Sequence, residues 1–400
     1  MTYLTQSKKS GKSESKATRQ PVLDAALEKQ LEKLLHGLVS RKGIHHAVIA
    51  IESMDKSFRW VGTAGEAHPD GKPMRPDIPY FIASVTKLYI AATILRLHEQ
   101  GEVNIEEPMS AYLPSSMVNG LHRIDGTDHT AQITVRHLLS HASGLPDFLE
   151  ERPIGGKALF DLLLEEGDRS WTIEEAMDLV REDLTPYFPP QPLDEDRQKI
   201  RYSDTNFQLL IAIIEAVTGK QLSEAFEEHL YQPLGLQRTF HPGTDPREPT
   251  PEPATVWAGE EALDIPKAMR SFGDLYSTVD DQLAFMRALV EGTVFDNPAT
   301  GQLMQERWNR FGFSLSLRPL SPGWPIEYGL GMMRFHIPRI FSPLSPTPEV
   351  IGHTGATSPW LFYCPELDLL LAGTVDQATA AAVPFRFVPR LLRVLARAAG

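Results

Sequence analysis

Residues 81–101 read FIASVTKLYIAATILRLHEQG, and the rest of the chain is best read outward from them. Leu88, Ala91, Ala92 and Leu95 recur at three and four residues, the spacing of a buried helix, and Gly101 supplies a C-terminal stop. Ser84 and Lys87 stand at the opening of that helix. Positions three apart share a helix face, so the Lys87 ammonium reaches the Ser84 hydroxyl, and the first-turn NH groups put positive potential on the same oxygen. A serine hydroxyl is a weak nucleophile without such help, and a lysine acts as its base only if burial lowers the lysine pKa. The spacing S-x-x-K is weak evidence alone. It also occurs at Ser13 with Lys16, in a polar tail, and at Ser53 with Lys56, in a turn between strands; only Ser84 opens an apolar helix. An N-cap serine with a solvated lysine one turn on is the competing structural reading.

Four hundred residues exceed what one core usually needs, so two subdomains are expected. With 42% hydrophobic and 23% charged residues the chain reads as an ordinary globular protein, and its net charge of -13 speaks against nucleic acid and anionic membrane surfaces as partners. A single cysteine, Cys364, leaves no internal disulfide and no Cys-rich zinc site. The opening MTYLTQSKKSGKSESKATRQ lacks the apolar run of roughly 7 to 15 residues that a secretory signal needs, so residues 1–21 are expected to be a disordered tail. No stretch has the roughly 18 uninterrupted apolar residues of a membrane span, and a cytoplasmic protein is expected.

Leu23, Leu27, Leu31, Leu34 and Leu38 mark an amphipathic helix. HAVIAIES and SFRWVGTAGEA then suggest two strands around MDK. Thr134 caps VRHLLSHASGLP, TNFQLLIAIIEAVTG is a strongly apolar helix ending at Gly219, SEAFEEHLYQPLGL another, and Ser277 with Thr278 caps VDDQLAFMRALVEG. Beyond the Pro/Ser-rich FSPLSPTPE, strand patterns return in VIGHTGATSPWLFYC and LDLLLAGTVD. The last helix, PFRFVPRLLRVLARAAG, carries arginines on one side and should pack on a sheet. Strands at both ends with helices between predict an α+β fold, an α/β sandwich: an antiparallel sheet from both termini flanked by helices (about 22–80 and 325–400), with a mostly helical subdomain inserted between (about 81–324). The residue 81–101 stretch would lie where the two meet, a common place for a ligand cleft.

Two further segments carry residues suited to acyl transfer. Tyr202, in IRYSDTNF, offers a phenol that could pass a proton between Ser84 and a leaving group. His353-Thr354-Gly355 opens a strand where glycine lets a substrate lie close to the backbone. Taken in order, SVTK at Ser84, YSD at Tyr202 and HTG at His353 resemble the three motifs of the serine β-lactamase and penicillin-binding-protein superfamily, S-x-x-K, Y-x-N and K-T-G or H-T-G. ITVRHLLSHASGLP, FGDLYSTVDDQLAFM and FYCPELDLLLAGTVD look like its connecting segments, so the resemblance covers residues 22–400. It points to the branch that holds class C β-lactamases, D-alanyl-D-alanine carboxypeptidases, D-aminopeptidases and β-lactamase-fold carboxylesterases.

The resemblance implies a β-lactamase/transpeptidase-like fold and an acyl-enzyme on Ser84. Lys87 and Tyr202 would share general acid/base duty, and His353, Thr354 and Gly355 would line the substrate. The backbone NH groups of Ser84 and Ala356 would form the oxyanion hole. No metal or cofactor is implied, and the substrate would be a small ester or amide. One departure matters: the family's asparagine is Asp204 here, at a substrate-facing position. An ionised aspartate accepts hydrogen bonds and donates none, which disfavours amides and β-lactams that use that donor and leaves esters. Alternatively, Asp204 pairs with Lys87 and holds its charge. A carboxylesterase-like hydrolase therefore ranks first, a D-residue-specific peptidase or weak β-lactamase second, and a non-catalytic binding relative third. An α/β-hydrolase is set aside because no G-x-S-x-G occurs, and a metal site on His137 and His141 because no third ligand is evident.

Overall fold

The β-branched run of His46–Ser53 (β1) turns through Lys56, at φ 62°, into Arg59–Gly65 (β2), and the two pair antiparallel with Ala50 opposite Val61. Asn309–Arg310 (β3), Ile326–Tyr328 (β4), Met333–Phe335 (β5), Val350–Thr354 (β6), Trp360–Cys364 (β7) and Leu369–Thr374 (β8) complete one antiparallel sheet in the order β2-β1-β8-β7-β6-β5-β4-β3. The computed structural model describes residues 20–399 except 154, 195–196, 313–322, 324 and 338–346. Most of the expected disordered tail and of the Pro/Ser-rich stretch lies outside the described residues.

The central strands are buried on both faces, which is why they read as near-continuous apolar runs. Along β1, Ala47, Ile49 and Ile51 enter one core while Val48 and Ala50 enter the other; Trp360 and Phe362 of β7 join the first and Leu361 the second. The first core is closed by the amphipathic helix Ala25–Val39 (α1) and by the last helix, which buries Phe387, Leu391 and Leu395 and leaves Arg386, Arg390 and Arg397 exposed. Phe387 meets Trp360 at 5.5 Å between ring centres, so that helix packs on the sheet as expected.

On the opposite face lie Thr86–Glu99 (α2), Asp204–Thr218 (α3) and Val279–Glu291 (α4), together with shorter helical pieces. Nearly every side chain of α2 is buried, as suits a helix apolar all round. Two pieces of the 81–324 stretch, α4 and β3, belong with the sheet: α4 packs on β1, β7 and β8, and Arg287 meets the buried Glu52 of β1 at 2.5 Å, a pairing without which that carboxylate would be costly to bury. The expected helix over SEAFEEHLYQPLGL runs from Leu222 to Leu234 without a gap but not as a uniform α-helix. Leu222–Phe226 widens into a π turn at Glu227–Tyr231, just ahead of Pro233, whose ring removes a helical NH donor.

Candidate active site

Tyr80–Phe81 pairs with Tyr276–Ser277, and the chain then tightens into a 3-10 turn, Ala83–Val85, that runs into α2. Ala83 takes φ 43°, a left-handed conformation that costs a residue with a Cβ and tends to persist where surrounding structure enforces it. The enforcing contacts are backbone bonds: Ile82 N donates to Leu275 O (2.9 Å), and Leu275 N donates to Thr86 Oγ1 (3.1 Å). Ser84 is thereby presented to a cleft, with Lys87 one turn on. Lys87 Nζ donates to Ser84 Oγ at 3.1 Å and to Asp204 Oδ1 at 2.5 Å, and it stands 5.2 Å from the ring centres of both Tyr202 and Phe207.

The charge state is the alternative weighed from the sequence, in which Asp204 pairs with Lys87, and not a lysine neutralised by burial. Burial alone would lower the Lys87 pKa, but Asp204, with Asp274 behind it, outweighs burial and raises it, so the resting lysine is an ammonium. Burial also pushes the Tyr202 phenol well above its usual value, although its hydroxyl lies within hydrogen-bonding reach of the Ser84 side chain. Asp204 is itself positioned from below. Its backbone N donates to Asp147 Oδ2 (2.9 Å), while Asp147 Oδ1 accepts from Leu149 N (2.8 Å) and Glu150 N (3.1 Å). Burial, with the charge of Asp204 added, pushes the Asp147 carboxyl up to about 7, and burial pushes Asp274 to about 7 as well, against the opposing pull of Lys87. Asn206, two residues after Asp204, turns away and donates to His141 Nδ1 (3.1 Å).

Thr354, Gly355, Ala356 and Thr357 line the cleft, but His353 does not. Its ring is fully buried and points off the cleft: Nδ1–H donates to Thr354 O (2.6 Å), and Nε2 accepts from the Tyr328 hydroxyl (3.0 Å). Burial and the nearby Lys87 charge lower it to about 3, so it is a neutral imidazole with both nitrogens engaged. The expected substrate contact by His353 is therefore replaced by a supporting one, since successive strand residues face opposite sides and Thr354 takes the cleft side. Gly355 lies so close to the Ser84 turn that a Cβ there would come within 2.8 Å of Ala83 Cβ and 2.9 Å of Ile82 O. Gly355 N donates to Pro359 O and Ser358 N to Gly355 O, a turn in which the Ala356 amide has no acceptor among the described residues. His137 Nε2 is taken by Gln191 O at 2.8 Å, and His141 Nδ1 accepts from Ser203 N at 3.3 Å, so the two histidines do not converge. Asp147, Asp274 and Tyr328 were not singled out from the sequence, because each is a loop or strand-end residue with no periodic signal.

The cleft opens to solvent at its mouth and has an interior volume of about 120 Å³. Phe81, Phe160, Phe207, Phe272, Met269 and Phe385 are among its mostly apolar walls. The arrangement offers a serine oxygen beside a charged lysine, a phenol with its proton, and a free backbone amide where an oxyanion could develop. That is equipment for acyl transfer.

A family model described as Beta-lactamase matches residues 31–386. The chain is 25% identical over 325 residues to the D-alanyl-D-alanine-carboxypeptidase/endopeptidase AmpH of Escherichia coli K12, covering 79% of this chain and 74% of that protein. It is 30% identical over 179 residues to esterase EstB of Burkholderia gladioli, covering 42% of this chain and only 39% of that protein. Among solved structures, a D-stereospecific amidohydrolase from Streptomyces sp. matches with TM-score 0.66 and 26% identity, over 90% of this chain and 98% of that one.

Proposed function

The chain belongs to the beta-lactamase family of serine hydrolases, and on that premise we propose that it hydrolyses small, apolar esters without a negative charge through an acyl-enzyme on Ser84. The observation that carries this reading is the Ser84 hydroxyl 3.1 Å from the Lys87 ammonium at the wall of an apolar cleft. Ser84 Oγ attacks the ester carbonyl, and the developing oxyanion is met by the Ser84 and Ala356 amides. As Lys87 passes a proton to Asp204 along their 2.5 Å contact, its freed amine takes the serine proton. Tyr202, which holds its proton firmly, hands it to the departing alcohol and is refilled from the Lys87–Asp204 pair. Water then repeats the sequence on the acyl-enzyme and releases the acid.

The choice against anionic substrates rests on the cleft's own charges. The basic side chain on its wall is Lys87, already engaged by Asp204, and the histidine of HTG is neutral and buried. A β-lactam or D-alanyl-D-alanine carboxylate would find no free cation there among the described residues. Amide hydrolysis on D-configured substrates is the second reading. Likeness to the Streptomyces amidohydrolase favours it, and the pairing of Asp204 with Lys87 removes the main argument against amides. The test is incubation with a fluorophosphonate, followed by mass spectrometry. One label on the Ser84 peptide, with turnover of p-nitrophenyl butyrate exceeding that of nitrocefin, is expected; label only elsewhere would sink the reading.

A further inference from the structure

Asp204 and Asp274 both stand on the cleft wall with Lys87, the basic side chain of that wall, and Lys87 has its contact partner in Asp204 at 2.5 Å. Asp274 closes the loop before Tyr276–Ser277, next to Leu275, whose backbone is bonded to the nucleophile turn at Ile82 and Thr86. Its carboxyl hydrogen-bonds the Thr86 side chain and keeps part of its surface open to the cleft. Among the described residues no lysine, arginine or histidine nitrogen lies within 4.0 Å of it. A carboxylate shielded from water without a cation in contact is costly, and the group responds by holding its proton to about 7, burial being the first cause, with the more distant Lys87 charge opposing it and the Asp204 charge adding to it. Around it, Phe207, Met269 and Phe272 offer apolar and aromatic surface, on which an organic cation is also well received.

We propose that Asp274 is the specificity-determining residue of this cleft and selects esters or amides whose apolar body carries a protonated amine. Such an ammonium supplies the contact ion-pair partner that Asp274 lacks among the described residues, and it enters a site where a carboxylate would be repelled by Asp274. The kinetic part of the inference rests on the hydrolase reading above, while the binding part needs no turnover.

Calorimetric titration of the wild-type protein at pH 8 with benzylamine and with benzyl alcohol compares one apolar body with and without charge. Benzylamine should bind roughly 10- to 100-fold more tightly, the range of a hydrogen bond to a charged group, and Asp274→Asn should bring the ratio close to one. Equal binding by the wild type, or a preference that survives in Asp274→Asn, overturns the proposal. Asp274→Ser repeats the comparison if the asparagine form does not fold. For turnover, alanine p-nitroanilide is set against isobutyryl p-nitroanilide, in which a methyl replaces the ammonium. The wild-type kcat/KM ratio should favour the amine, mostly through KM, and should collapse in the variant whatever its absolute rate. Hydrolysis with no amine preference overturns the role of Asp274 and leaves Ser84 standing; amine-selective binding with no turnover and no Ser84 label does the reverse.

Discussion

Lys87 is one cation asked to serve a serine, two carboxylates and a phenol, and its usefulness depends on which of them holds its proton. Asp204 is the nearest at 2.5 Å, and with Asp274 it overcomes the burial that would otherwise lower the lysine pKa. Asp204→Asn removes the larger of those two charges at nearly constant volume. The apparent pKa of the activity should then fall, because burial is left as the dominant influence on Lys87. Ester and amide rates should change together, and their ratio should stay within about twofold. pH-rate profiles for p-nitrophenyl butyrate and D-alanine p-nitroanilide measure both; a ratio moved toward the amide by the roughly 2- to 13-fold that one recovered hydrogen bond supplies, with the pKa unmoved, would return Asp204 to direct substrate recognition. The same cluster leaves a mark on stability. Asp147 and Asp274 hold their protons to about 7 when folded, against 3.8 for an ordinary aspartate. Between about pH 4 and 7 the unfolded chain has released those protons and the folded chain has not, so stability falls as pH rises through that window. Asp274→Asn cannot titrate there. Its Tm, measured relative to wild type, should therefore rise steadily from pH 4.5 to 8, and a constant difference would mean that Asp274 ionises normally in the fold.

At the level of elements, the site depends on the end of β6 lying flat against the Ser84 turn. A methyl on Gly355 would meet Pro359 Cγ at 2.7 Å and Ala83 Cβ at 2.8 Å, so Gly355→Ala must push the two segments apart. Displacements of about 1 Å in a catalytic constellation cost on the order of 100-fold in rate, whereas overpacking one site costs about 1 to 3 kcal/mol. The expected result is a kcat lowered roughly 100-fold in a protein that still melts cooperatively; a kcat within about twofold of wild type would mean that the turn is not held by this contact. Tyr328→Phe tests the support from behind, since it leaves the buried His353 Nε2 without its donor at a cost of about 1 to 3 kcal/mol. Equal denaturation midpoints would show that the hydroxyl contributes nothing. Much at this scale was legible in the chain itself. α2, α3 and α4 announce themselves by three-and-four spacing with Thr278 and Gly219 at their ends, and β1, β7 and β8 by short apolar runs, because those signals are local. The direction of His353 was not legible. The motif marks where a strand begins, but which face each residue takes is set by register, here His353 opposite Leu361 and Met333 opposite Gly352. Asp147 and Asp274 escaped for a related reason: nothing in their neighbours along the chain says that Asp147 will hold the backbone of Asp204 or that Asp274 will share its lysine.

Across the whole molecule, the first strands and the last are one structure. β1 pairs with β8 so that Val48 faces Thr374 and Ile51 faces Leu371, and the cleft lies on the side of this sheet where α2 runs. The charge distribution is equally a property of the whole: the chain carries a net -13, and on the cleft wall Lys87 is matched by Asp204 while Asp274 adds an acid with no basic side chain in contact among the described residues. A field of one sign focused in a low-dielectric cleft changes the local concentration of charged substrates and leaves neutral ones alone. Its reach is set by salt, falling from about 30 Å at 0.01 M to about 3 Å at 1 M. A matched pair of esters, p-nitrophenyl butyrate and mono-p-nitrophenyl succinate, separates this effect from chemistry because both release the same phenol. Between 10 mM and 0.5 M sodium chloride, kcat/KM for the neutral ester should hold within about 1.5-fold, while that for the anionic ester should rise roughly 3- to 10-fold from a lower start as the repulsion is screened. A fall with salt for the anionic ester would mean that the cleft draws anions in, and carboxylate-bearing substrates such as β-lactams would then move ahead of neutral esters.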